Sequence, residues 1–108
     1  MKKEKDNVFG GRTSLFGVCF SGNVELVKYL VEHGANINKE TVIGYTPLFE
    51  ACENGKLVIV KYLIEHGADI NKRNNTGETP LYKLRKLYYA RKNEEVEKYL
   101  VEHGAVLS

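Results

Sequence analysis

The chain has 108 residues, 43% hydrophobic and 28% charged, with a formal charge of +2. That length suits one compact domain, the composition is that of a soluble globular protein, and the charge is too small to argue for nucleic acid. The longest apolar runs fall far short of the ~20 residues that span a bilayer, so no membrane partner is expected.

Residues 1–7 form a charged tail containing Lys2, Lys3, Glu4, Lys5 and Asp6. No apolar stretch follows it, so it does not read as a secretory signal, and an intracellular location, cytoplasmic or nuclear, is the expectation. From residue 8 onward the chain repeats. Gly11, Gly44 and Gly77 recur at a spacing of 33 residues, with Thr13, Thr46 and Thr79 and then Leu15, Leu48 and Leu81 in register behind them. Leu30–Asn38 and Leu63–Asn71 close the first two units with nearly the same phrase, and Leu100–Ala105 closes the third. The units span about 8–40, 41–73 and 74–108, the last with four extra residues. Such units cannot bury an apolar face alone; stacked, they share one core and present a surface.

In the first unit Thr13-Ser14 stands where the others have Thr-Pro. Gly17 sits inside the expected helix, at a cost of up to about 1 kcal/mol relative to Ala. Phe20 occupies a position that is polar in an interior unit. Together these suggest a less regular, partly capping unit.

In the middle unit Thr46 is expected to cap a short helix from Pro47 to about Asn54, because Pro fits the first turn. Leu48, Ala51 and Cys52 fall on one face. A second helix is expected from about Leu57 to His66, with an apolar stripe of Leu57, Val60, Leu63 and Ile64 and with Ile59 and Tyr62 beside it. Lys61 and Glu65 have the spacing of a helix ion pair, and Gly67 reads as a left-handed cap.

In the third unit the four extra residues fall between Leu84 and Asn93. They either lengthen the first helix, Pro80 to about Arg91, by one turn or extend the loop after it. The unit lacks the Asp-Ile-Asn exit of its neighbour and reads as the end of the array.

The phrases Gly44-Tyr45-Thr46-Pro47-Leu48 and Gly77-Glu78-Thr79-Pro80-Leu81 resemble the G-x-T-P-L signature of ankyrin repeats, and Gly34–Asn38 and Gly67–Asn71 resemble their G-A-D-V-N ending. The resemblance covers about residues 8 to 108. It implies an all-α ankyrin-repeat solenoid of three stacked helix-turn-helix units with exposed hairpin-like tips. It also implies a non-catalytic scaffold that binds a partner protein through its concave face and tips. The family's His after Leu is aromatic here (Phe16, Phe49 and Tyr82), so packing must take over part of that residue's loop-tying role.

Carried over position by position, the tips offer Phe9, Gly10 and Arg12, then Val42, Ile43 and Tyr45, then Asn75, Thr76 and Glu78. The inner helices offer Phe20 and Ser21, then Glu53 and Asn54. The partner-binding set is Arg12, Val42, Ile43, Tyr45, Glu53, Asn54, Asn75, Thr76 and Glu78. Val42, Ile43 and Tyr45 stand out as an apolar patch on a tip, unless they pack against neighbouring tips and Phe9. A basic stretch, Lys83, Arg85, Lys86, Arg91 and Lys92, offers an alternative function in anion or nucleic-acid binding. A solvated helix face, with Leu84, Leu87 and Tyr88 turned inward, is the preferred reading of it.

The remaining candidates for chemistry fit the scaffold better. Equivalent positions on stacked helices lie about 8–10 Å apart. His33, His66 and His103 therefore cannot share an ion that needs ligands at about 2.0–2.1 Å, and they suit helix ends instead. Cys19 and Cys52 are likewise one period apart, too far for a disulfide, and read as reduced core residues. No nucleophile constellation or phosphate loop appears. The chain is read as a non-enzyme, a monomer that needs no cofactor or metal.

Overall fold

A computed structural model describes residues 14–86 and 93–108. Among these residues there are six helices and no strand: α1 (Leu15–Ser21), α2 (Val24–Glu32), α3 (Pro47–Glu53), α4 (Leu57–Glu65), α5 (Pro80–Lys86) and α6 (Glu94–Glu102). Each odd-numbered helix packs on the even-numbered helix that follows it. The odd helices form one layer in the order α1, α3, α5, and the even helices a second in the order α2, α4, α6. The tail 1–7 and the first tip lie outside the described residues, as do residues 87–92, where the four-residue insertion falls.

One apolar core runs through the stack. Leu48, Ala51 and Cys52 are buried on α3 as their spacing predicts, and Val18 and Cys19 on α1 join them. The small side chains Ala51 and Cys52 let neighbouring inner helices approach closely. Cys19 and Cys52 are free thiols, and burial pushes Cys19 up to about 12 and raises Cys52 as well. Neither will ionise near neutrality, so both behave as small hydrophobes.

On α4 the core is centred on Ile59, Val60 and Leu63, while Leu57 and Ile64 are only half-buried. The buried stripe is thus turned toward Ile59 relative to the sequence reading. The physical reason is that α4 is packed from three sides, by α3, α2 and α6, so burial extends past a single helical stripe. Lys61 also departs from expectation: its ammonium lies over the Tyr99 ring of the next unit, 5.6 Å from the centroid, and not on Glu65.

The three outer helices end identically. His33, His66 and His103 are their C-cap residues, and each donates an Nδ1–H bond of 2.8 Å to the carbonyl of Tyr29, Tyr62 or Tyr99 one turn earlier. Each imidazole also stacks on that tyrosine. Gly67 follows with φ 102°, a left-handed turn that a side chain would strain.

Asparagine side chains then join the units. Asn38 donates from Nδ2 to the Gly67 carbonyl at 3.2 Å and accepts at Oδ1 from the Asp69 N–H at 2.9 Å. Asn71 repeats this one unit later, with the Gly104 carbonyl at 3.1 Å and the Val106 N–H at 2.8 Å. Each amide satisfies one donor and one acceptor at the loop after an outer helix, where intrahelical partners have run out.

The two threonines before Pro47 and Pro80 differ. Thr79 behaves as a cap: its hydroxyl accepts from the Tyr82 N–H at 3.1 Å and donates to the Val106 carbonyl at 2.7 Å. Thr46, expected to cap α3, makes no such bond, and its buried hydroxyl has no hydrogen-bond partner. No carbonyl holds it in the capping orientation.

This asymmetry gives a paired test by urea unfolding. Thr79→Val should cost about 1–2 kcal/mol, because it strands an N–H and a carbonyl. Thr46→Val should leave stability unchanged or raise it, since it removes an unbonded buried hydroxyl. A loss above about 1 kcal/mol at Thr46 would contradict this account.

Candidate recognition surface

The tips are built by local hydrogen bonds. In residues 41–45 the Thr41 N–H bonds the Tyr45 carbonyl at 2.8 Å, and the Gly44 N–H bonds the Thr41 carbonyl at 2.9 Å. The Thr41 hydroxyl accepts from the Tyr45 N–H at 3.2 Å. In residues 74–78 the same backbone bonds recur at 2.9 Å each. Here the Asn74 Oδ1 accepts from the N–H groups of Thr76 and Glu78 and from the Thr76 hydroxyl. Thr41 and Asn74, which organise these turns, were not among the sequence candidates. The signal for them was a short polar side chain at one period's spacing, of the kind that bonds its own turn.

The tips are also fastened to each other. The Asn75 N–H bonds the Ile43 carbonyl at 3.1 Å, and its Nδ2 bonds the Val42 carbonyl at 2.8 Å. Gly44 permits this approach, because a Cβ there would lie 2.6 Å from the Asn75 Oδ1 and 2.7 Å from its backbone nitrogen.

On this fixed turn Val42 is 94% exposed and Ile43 55% exposed. Tyr45 does not complete an exposed patch with them. It is half-buried, stacks on the fully buried Phe49 with ring centroids 4.9 Å apart, and has the Lys83 ammonium 5.7 Å from its ring centroid. A ring flanked by the aromatic that replaces the family histidine gains more from packing than from water. Phe49 is thus the aromatic substitution that packs, whereas Phe16 is half-buried and Tyr82 is exposed. In the inner-helix layer Phe20 is 60% exposed and Ser21 is exposed.

The polar candidates are largely committed within the protein. Asn54 donates to the Glu50 carbonyl at 2.8 Å and to its carboxylate at 3.2 Å. Asn75 and Thr76 hold the tips, as described. Glu53 has one buried oxygen without a hydrogen bond, and its nearest cation is Lys83 at 4.0 Å. Burial pushes the Glu53 carboxyl above its usual range, more than Lys83 lowers it, with Glu50 and Glu78 adding like-charge repulsion. Glu78 is the reverse case. Hydrogen bonds from Lys86 (2.8 Å) and Asn74 (3.0 Å) hold its carboxyl down to about 2.

Of the basic stretch, Lys83 lies near Glu53, Arg85 pairs with Glu97 at 2.5 Å and Lys86 with Glu78. Leu84 is buried, as the solvated-face reading requires. Arg91, Lys92, Leu87 and Tyr88 lie outside the described residues, as do Phe9, Gly10 and Arg12. Three of the five basic residues thus have acid neighbours in the fold, which weakens their pull on an external anion. Among the described residues no His, Cys, Asp and Glu group of three or more could hold a metal, and no helix is long and apolar enough to cross a membrane.

The two carboxylates should give opposite pH signatures. The folded value of Glu78 lies below the unfolded one near 4.5, so its stabilisation is full above pH 4.5 and lost as pH falls toward 2. Glu78→Gln should flatten the acid limb of a plot of urea midpoint against pH. The folded value of Glu53 is raised, so its contribution is full below 4.5 and lost as pH rises through that raised value. Glu53→Gln should raise the midpoint at pH 7 and change it little at pH 4; a lower midpoint at pH 7 would mean that the Lys83 pairing outweighs burial.

The family model for ankyrin repeats, three copies long, matches residues 1–74. No curated protein matches the chain. The third unit lies beyond the matched span, but it repeats the Gly77, Thr79-Pro80-Leu81 phrase and the paired helices of the second. Period, tips and two-layer helix stack agree with that match: the chain belongs to the ankyrin-repeat family.

Proposed function

We propose that this protein is a non-catalytic recognition module that binds a partner protein across its tips and inner-helix face. Ankyrin repeats are generally protein–protein interaction modules. The observation that carries the reading here is the exposed pair Val42 and Ile43, held outward on a turn whose backbone is bonded both internally and to the next tip. Apolar side chains displayed from a fixed backbone are unfavourable in water and lose little conformational freedom on binding. Phe20 is a further exposed apolar side chain, on the inner-helix layer one unit earlier.

Within this reading the candidates divide by role. Val42 and Ile43 are the contact centre. Tyr45 supports the tip from below through Phe49. Asn75 fixes the tip backbone from the next unit, and Thr76 and Glu78 rim the neighbouring tip. Glu53 and Asn54 line the inner-helix layer beside it. Arg12 belongs to the first tip by register.

The test replaces Phe20, Val42 and Ile43 with Ser and compares capture from lysate at two salt concentrations. Solvent-exposed substitutions shift stability by about 0.5 kcal/mol or less, so the melting temperature should stay close to that of the original chain. Partner affinity should fall about tenfold or more and depend little on salt. Capture unchanged by the triple substitution, or steeply weakened by salt as in counterion release, would overturn the apolar-centred reading.

A further inference from the structure

We propose that the inner-helix face receives a partner segment that brings an arginine to Glu50 and Glu53 and an apolar side chain to Phe20. This rests on the recognition reading and gives its inner-helix half a partner chemistry, away from the tips. Residues three apart share one face of a helix. At one such pair of positions the units carry Gly17 and Phe20, then Glu50 and Glu53, then Lys83 and Lys86. Along the order α1, α3, α5 the face is therefore apolar, then acidic, then basic.

The acidic band is the one left short of counter-charge. In the basic band Lys86 is bonded to Glu78. Glu53, by contrast, has its nearest cation, Lys83, at 4.0 Å and one carboxylate oxygen without a hydrogen bond. Glu50 accepts from the neutral Asn54 amide at 3.2 Å. Burial pushes both carboxyls above their usual range, and the Glu50 charge raises Glu53 further. A guanidinium, with its fork of donors, suits two such carboxylates. The apolar band has room beside it. Gly17 stands where the next units carry Glu50 and Lys83, so Phe20, 60% exposed, has no side chain one turn before it. Glycine is unfavourable inside a helix, but its lack of a Cβ lets another chain come close.

This face does not depend on the ends of the stack. Units add in the order α1, α3, α5, so another unit on either side lengthens the face and does not cover it. Glu53, with a unit on each side, keeps 23% of its side chain exposed. Adjacent inner helices lie about 8–10 Å apart. A polyproline II segment advances about 9 Å in three residues and returns to the same side. An apolar residue and an arginine three positions apart in such a segment thus meet Phe20 and the Glu50–Glu53 pair together.

The probe is a synthetic peptide, acetyl-Pro-Leu-Pro-Pro-Arg-Pro-Pro-Leu-Pro-amide, which offers a leucine three residues from the arginine in both directions. It is titrated into the isotope-labelled protein and followed by amide chemical shifts. Saturable shifts are expected at Gly17, Phe20, Glu50, Glu53 and Asn54. Glutamine in place of the arginine, or Glu50→Gln with Glu53→Gln in the protein, should weaken binding about tenfold. Alanine in place of both leucines, or Phe20→Ser, should weaken it several-fold. The peptide comparisons stand even if a protein variant folds poorly. A protein carrying Val42→Ser and Ile43→Ser should bind the peptide as the original does, so failure here leaves the apolar-tip reading intact. No saturable shift on the inner-helix face, equal binding of the glutamine peptide, or shifts confined to the tips would overturn the proposal. Shifts at these residues that grow with protein concentration and without peptide would assign the face to a second copy of the chain, and overturn it as well.

Discussion

The asparagine amides that join consecutive units are the constraint on which the rest of the structure depends. Asn38 and Asn71 each hold one N–H and one carbonyl at the loop that follows the next outer helix. Helix ends leave such groups without intrahelical partners. A side chain that answers both a donor and an acceptor fixes the spacing of one unit on the next. With that spacing set, the apolar faces of all the inner and outer helices meet as one core, and the tips arrive at hydrogen-bonding distance of each other.

The same spacing decides what is left for function. Residues that look chemical in isolation become parts of the stack. The histidines close helices onto tyrosine carbonyls, the cysteines fill space between inner helices, and most tip polar groups bond the tips themselves. Side chains that the stack does not use are then exposed on a rigid frame. Val42 occupies the place where the third tip has Asn75, and a valine side chain cannot make the amide bond that Asn75 Nδ2 donates to a neighbouring carbonyl. The position that ties tips together between the second and third units is instead turned outward as an apolar surface.

Charge follows a similar logic. Lys83, Arg85 and Lys86 are close in sequence but diverge in space, because successive helical residues point about 100° apart. Arg85 turns toward α6 and Glu97, whereas Lys83 and Lys86 lie over the inner layer near Glu53 and Glu78. Among the described residues of the basic run, Lys83, Arg85 and Lys86 are therefore in separate ion pairs in the fold, each of modest strength at a surface.

The sequence by itself determined the repeat period, the helix starts at Pro47 and Pro80, the helix ends at the His-Gly pairs and the burial of Leu48, Ala51 and Cys52 on α3. These are local: proline geometry, glycine torsion and helical spacing act within a few residues. It could not determine that Thr79 caps while Thr46 does not, that Lys61 chooses Tyr99 over Glu65, or that Tyr45 leans on Phe49 while Val42 and Ile43 stay exposed. Each of those choices depends on a group from elsewhere in the chain or on competition with the core, and only stacking the units brings the competitors together.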